Sequence, residues 1–189
     1  MGIADDGNIP DPQTILDNSY VLFNRDEVKE AVQKMADEIN AHYGNEPIIL
    51  ITVLTGAIIP AAWLATRLKM PVQMDFVHAT RYRGGLYGAE LEYRVPPRLE
   101  LEGKHVLIID DIFDEGNTLA AIKGSVEKRK AASVKMAALV RKMHDRGLER
   151  DFVEFIGLDV PDVYVFGCGM DAWEEWRQLD EILVLEQDG

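Results

Sequence analysis

The stretch His105–Ile122, HVLIIDDIFDEGNTLAAI, decides how this chain is read. Its apolar start, His105 to Ile109, is short, β-branched and unbroken, which describes a strand buried on both faces of a parallel sheet. Two adjacent carboxylates, Asp110 and Asp111, close that run. Asp114, Glu115, Gly116, Asn117 and Thr118 follow, and a helical pattern begins at Leu119. A strand, a polar loop with a glycine and then a helix present backbone N–H groups to an anion. Gly116 permits a tight turn and a close approach to a phosphate, and Thr118 adds a hydroxyl donor. No Lys or Arg lies within the stretch, so a phosphate bound here is held by amides and the helix end. The carboxylates suit ribose hydroxyls or Mg²⁺, which takes oxygen ligands. An Asp-Asp pair alone is an ordinary turn or cap; the joint pattern is far less common. Neither a Gly-x4-Gly-Lys phosphate loop nor a Gly-x-Gly-x-x-Gly dinucleotide fingerprint is present.

Working outward, Asn24 with Glu27 three residues on forms a helix-start box. Val28, Ala31, Val32, Met35, Ala36 and Ile39 then recur at helical spacing, and Gly44 stops the helix. Ile48–Leu54 is a nearly continuous apolar strand. It leads through Thr55-Gly56-Ala57 into a helix to about Lys69 with Pro60 in its first turn. Val72–Ala79 reads as a further strand. The glycine-rich segment from Thr80 to Glu92 reads either as a functional loop or as a plain hairpin, given the alternation of Leu91, Tyr93 and Val95. Leu119, Ile122 and Val126 line a helix to about Lys130, followed by a strand from Val134 to Val140. Phe152–Ile156 and Tyr164–Gly167 read as short strands. The alternation predicts an α/β fold with parallel, right-handed βαβ units and ligands at the carboxyl ends of the strands. The acids of 110–114 and the loop at 55–57 lie at such ends.

Val106–Leu119 resembles the phosphoribosyl pyrophosphate signature of the type I phosphoribosyltransferases. Over roughly residues 15–185 the chain is similar to their 6-oxopurine branch, the hypoxanthine-guanine phosphoribosyltransferases. The resemblance implies a parallel sheet flanked by helices, a flexible loop, and a small hood built from the N-terminal residues and roughly 150–189, all in one domain. It implies transfer of a phosphoribosyl group to a 6-oxopurine, with Mg²⁺, in purine salvage. Asp114 is then the catalytic base. Residues Asp110, Asp111, Asp114, Glu115, Gly116, Asn117 and Thr118 bind the sugar phosphate, joined by Thr55, Gly56 and Arg177 on the pyrophosphate. Thr55 stands where many relatives carry lysine, and the Leu54–Thr55 bond is expected to be cis or otherwise strained. Lys142, Tyr164 and Val165 meet the purine, while Asp110, Asp111 and Asp171 meet the metal. Arg81 and Tyr82 fall in a lid spanning 80–92. As bare sequence, Arg141-Lys142 more often reads as a solvated strand end, and Tyr164, Trp173 and Trp176 more often as core. Alternatives are another acceptor base, such as xanthine, or a regulator on the same fold that binds the sugar pyrophosphate without chemistry.

Composition sets outer bounds. The 189 residues, 47% hydrophobic, fit one domain with a full core. Thirty-three acids against twenty bases give a net charge of −13, a field that disfavours nucleic acid. No apolar run reaches the ~18 residues of a membrane span, and Met1–Gln13 has no signal-peptide pattern. The single cysteine, Cys168, excludes an internal disulfide and fits a cytoplasmic setting. A homodimer or homotetramer is expected.

Overall fold

The computed structural model describes residues 9–81 and 91–186. The elements run in the order α1 (Pro12–Asp17), β1 (Ser19–Phe23), α2 (Arg25–Tyr43), β2 (Ile48–Val53), α3 (Ile58–Ala65), β3 (Val72–Arg81), β4 (Leu91–Val95), β5 (His105–Phe113), α4 (Asn117–Glu127), β6 (Ser133–Met143), β7 (Phe155–Pro161), β8 (Val165–Phe166) and β9 (Ile182–Leu185). A six-stranded sheet has the order β4-β3-β2-β5-β6-β7. All its pairings are parallel except β3 with β4. β2 and β5 are central and parallel, as the sequence predicts.

The apolar runs are continuous because both faces of this sheet are covered. Ile49, Ile51, Val106, Ile108, Met136 and Ala138 point to one face and pack with Leu119, Ile122 and Val126 of α4. Ile48, Leu50, Leu107, Ile109 and Ala137 point to the other, against Met35, Ala36 and Ile39 of α2 and Ala61 and Leu64 of α3. The two-residue period of a strand makes this division. At the start of α2, the Asn24 side chain accepts from Asp26 and Glu27 N–H, and Glu27 accepts from Asn24 N–H. That is the reciprocal box read from the sequence.

Several boundaries differ from the sequence reading. β5 does not stop at Ile109 but runs on to Phe113, because β6 also extends and pairs with it up to Phe113–Arg141. α3 ends at Ala65, where turn bonds from Arg67 to Leu64 and from Leu68 to Ala65 tighten the chain. Phe155–Pro161, placed by sequence in the hood, pairs parallel with β6 and belongs to the large sheet. The smaller sheet, β1-β9-β8, joins an N-terminal strand to residues 165–185. α1, β1 and β9 were not read from the sequence. The expected lid is flanked by a hairpin: Thr80 pairs with Glu92 and Arg81 with Leu91. Tyr82 and the rest of 82–90 lie outside the described residues. Among the described residues, no helix is long and apolar enough to cross a membrane.

Ile108 sits at the middle of the large sheet and is fully buried. Ile108→Ala is expected to lower the free energy of unfolding by about 2–5 kcal/mol, since a cavity remains there. Denaturant titration measures this, and a loss under about 1 kcal/mol would contradict the packing described.

Candidate active site

Beyond Ile109, β5 has lost its pairing with β2, whose last paired residue there is Thr52. Each of the two carboxylates turns to the next backbone N–H along the strand instead. Asp110 accepts the N–H of Asp111 at 3.0 Å, and Asp111 accepts the N–H of Ile112 at 2.8 Å. Burial, and then the neighbouring Asp111, push the Asp110 carboxyl well above its usual range. Asp111 is also raised by burial, against the opposing pull of Asp110, the Ile112 N–H and the Arg177 guanidinium.

The β2–α3 loop closes on this pair. The Leu54–Thr55 peptide is cis, as expected from the sequence. Thr55 is exposed and Gly56 is buried. A Cβ on Gly56 would collide with the Asp111 carboxylate, and one on Gly169 would collide with the Gly56 carbonyl. Three segments remote in sequence therefore meet in one place. Arg177 joins them: it donates to the Gly169 carbonyl at 3.0 Å and pairs with Asp171 at 2.8 Å and Glu174 at 2.9 Å. Tyr164 donates its hydroxyl to the Asp171 carbonyl at 3.1 Å and lies 6.1 Å from the Trp173 ring. Val165, next to it, is buried and pairs with Val184 of β9.

Asp110, Asp111 and Asp171 do not form a cage. Among the described residues no three His, Cys, Asp or Glu side chains converge in a way that holds a metal ion. The oxygen-only donor set still fits Mg²⁺, which keeps several waters and binds through one or two carboxylates plus substrate oxygens. Two adjacent, half-buried acids are a fitting place for such a cation.

Further along β5 lies the loop Asp114–Thr118. Gly116 has φ +76 and caps α4. A Cβ there would strike the Phe113 ring, so close packing as well as the turn demands glycine. No side chain caps α4, which leaves the first-turn amides of Asn117, Thr118 and Leu119 for an anion. Glu115 accepts from the Asn117 side chain at 3.1 Å. Its backbone carbonyl accepts from Leu148 N–H, and Gly147 packs directly on its backbone. A cavity of about 540 Å³, lined by His144, Asp145 and residues 147–151, opens beside this loop.

Asp114 is bracketed from the end of β6 and the residue that follows it. Lys142 Nζ lies 3.6 Å from Asp114 Oδ2 and His144 Nε2 lies 2.5 Å from Oδ1. The Lys142 side chain is only 13% exposed, so it is not a solvated strand end. Arg141 beside it is structural, gripping Asp159 with two bonds of 2.7 and 3.1 Å. His144 was missed in the sequence. The signal lies in the parallel register: Phe113 opposite Arg141 sets residue 114 abreast of 142–144.

Residues 22–173 match the phosphoribosyl transferase domain family. The chain is similar to the hypoxanthine-guanine phosphoribosyltransferase of Streptococcus pneumoniae, with 31% identity over 173 residues covering 91% of this chain and 96% of the relative. It is 28% identical to the hypoxanthine-guanine-xanthine phosphoribosyltransferase of Tritrichomonas foetus, over 90% of this chain and 93% of that one. A variant of the hypoxanthine phosphoribosyltransferase from Trypanosoma cruzi, solved as its ternary substrates complex, superposes with a TM-score of 0.82 at 29% identity. The match covers 88% of this chain and 94% of that one.

Gly56→Ala is expected to displace either the 55–57 loop or the Asp111 carboxylate. A crystal structure of the variant checks this, and an unmoved Asp111 above an unmoved loop would show that the contact is looser than described.

Proposed function

The chain belongs to the phosphoribosyl transferase family, and on that premise we propose that it transfers the 5-phosphoribosyl group of phosphoribosyl pyrophosphate to N9 of hypoxanthine or guanine. The products are IMP or GMP and pyrophosphate, as in purine salvage. The observation that carries this reading is the pair Asp114 and Lys142, acceptor and donor 3.6 Å apart beside an open helix N-terminus. A 6-oxopurine carries the complementary pair on one edge, an oxo oxygen next to an N7–H. Adenine would turn an amino donor toward the Lys142 ammonium, leaving two donors face to face.

In this reading the amides of 116–118 and the Thr118 hydroxyl hold the 5′-phosphate. Thr55 and Gly56 offer backbone amides to the pyrophosphate, with Arg177 nearby as its cation. Asp110 and Asp111 orient the ribose hydroxyls. Together with Asp171 they would hold Mg²⁺, which when bound neutralises charge on the departing pyrophosphate. Lys142 fixes the oxo group of the base, Tyr164 stacks on its ring, and Val165 reads its edge through the backbone. As N9 bonds to C1 of the ribose, the base acquires positive charge and sheds its N7 proton to Asp114. The same edge occurs in xanthine, and the Tritrichomonas foetus relative is named for that base as well, so xanthine is the second acceptor. A cytoplasmic setting and a homodimer or homotetramer complete the proposal. Met74 and Phe76 on β3, 43% and 41% exposed, are apolar surface that a second copy would cover.

Incubation with labelled phosphoribosyl pyrophosphate and a panel of hypoxanthine, guanine, xanthine, adenine and orotate tests the proposal. Nucleotide formed with the first two is expected. Turnover of adenine or orotate alone would overturn it, and binding of the sugar pyrophosphate with no turnover on any base would indicate the regulator instead. Asp114→Asn is expected to lower kcat by about 10²–10⁴-fold while the sugar pyrophosphate binds nearly as before. Glu115→Ala should be mild, because that side chain is engaged with Asn117. Steady-state kinetics that found the two variants equally impaired would mean the base is a different carboxylate.

A further inference from the structure

His144 has no part in the scheme above, yet it makes the shortest contact to Asp114. Its side chain is 6% exposed, and both ring nitrogens are engaged. The Arg146 backbone N–H points at Nδ1 from 3.1 Å. A ring nitrogen that accepts a hydrogen bond carries no hydrogen, so the imidazole is neutral with its hydrogen on Nε2. That Nε2–H donates to Asp114 Oδ1 at 2.5 Å. The Arg146 backbone that fixes the tautomer is itself steadied, because its guanidinium grips Asp162 through bonds of 2.7 and 2.9 Å.

We propose that His144 is a positioning residue for the phosphoribosyl transfer: it occupies Asp114 Oδ1 and so presents Oδ2, beside Lys142, to the N–H of the purine. The inference rests on Asp114 being the proton acceptor. Neither ring nitrogen is free to take that proton onward, since Nε2 already bears a hydrogen and Nδ1 faces an N–H. The proton therefore stops on Asp114, and His144 acts by orientation. A neutral donor suits this task. A cation in the same place would favour the carboxylate form more strongly and make it a poorer base. Lys142, the cation of the cluster, stands at the longer distance of 3.6 Å, and the Arg146 charge is taken up by Asp162.

Kinetics on four variants, with binding of phosphoribosyl pyrophosphate measured alongside, test the proposal. His144→Ala is expected to lower kcat on the order of ten- to a hundredfold, the usual scale for a misplaced reacting group, with the affinity for the sugar pyrophosphate retained. His144→Gln, whose amide N–H reaches the position of Nε2–H, should recover most of kcat. In an Asp114→Asn background, His144→Ala should add little, because both changes act on one step. Full kcat in His144→Ala, a His144→Gln enzyme as slow as His144→Ala, or losses that multiply in the double variant would each overturn the proposal. If Asp114→Asn itself keeps normal kcat, the acceptor role falls and this inference falls with it. A slow Asp114→Asn enzyme beside a fast His144→Ala enzyme removes the positioning role alone.

Discussion

The backbone at Gly56 lies against the Asp111 carboxylate, and the backbone at Gly169 lies against the Gly56 carbonyl, with no room for a Cβ at either contact. These two approaches set the shape of the site. They bring the end of β2, the middle of β5 and the loop before Arg177 to one point. The carbonyl of Gly169 is also the group that receives the Arg177 guanidinium. A side chain at Gly56 would part the carboxylate from the loop, and one at Gly169 would lift the hood segment off both.

The distribution of charge follows from this arrangement. A chain with net charge −13 is a poor host for an anionic sugar at long range, but the long-range field is screened within about 10 Å at moderate ionic strength. What acts at the site is local: the open amides at α4, the Arg177 guanidinium and the Lys142 ammonium. Of the two acids of β5, Asp111 feels the guanidinium charge. Adjacent and half-buried, they are a receptive pair for a cation or for hydroxyl donors.

The central architecture was legible because its cause is local. Ile48–Val53, broken only by Thr52, and Val106–Ile109 are apolar since both faces are covered, and α2 announces itself through Asn24 and Glu27. The loop 114–118 was legible from one glycine and its neighbours. Elements decided by partners were not. Ser19–Phe23 is half exposed and too short to show a period, and Ile182–Leu185 has only four residues. Asp110–Phe113 is strand because β6 continues beside it, which no pattern in those residues reveals. His144 sits in an ordinary polar turn, His144-Asp145-Arg146, and nothing in that turn points to the carboxylate 30 positions upstream.

Ser19 meets Leu185 in the antiparallel pair of β1 and β9, and Val184 in turn meets Val165. Among the described residues β1 has no other strand partner. It therefore stays unpaired until nearly all the chain between it and β9 has been made and placed, whereas β2, β3, β5, β6 and β7 can join as each emerges. The order of assembly is thus written into the topology. The loop 114–118 and the two acids of β5 come with the large sheet, and Asp171 and Arg177, carried between β8 and β9, are drawn into register with the last ladder to close.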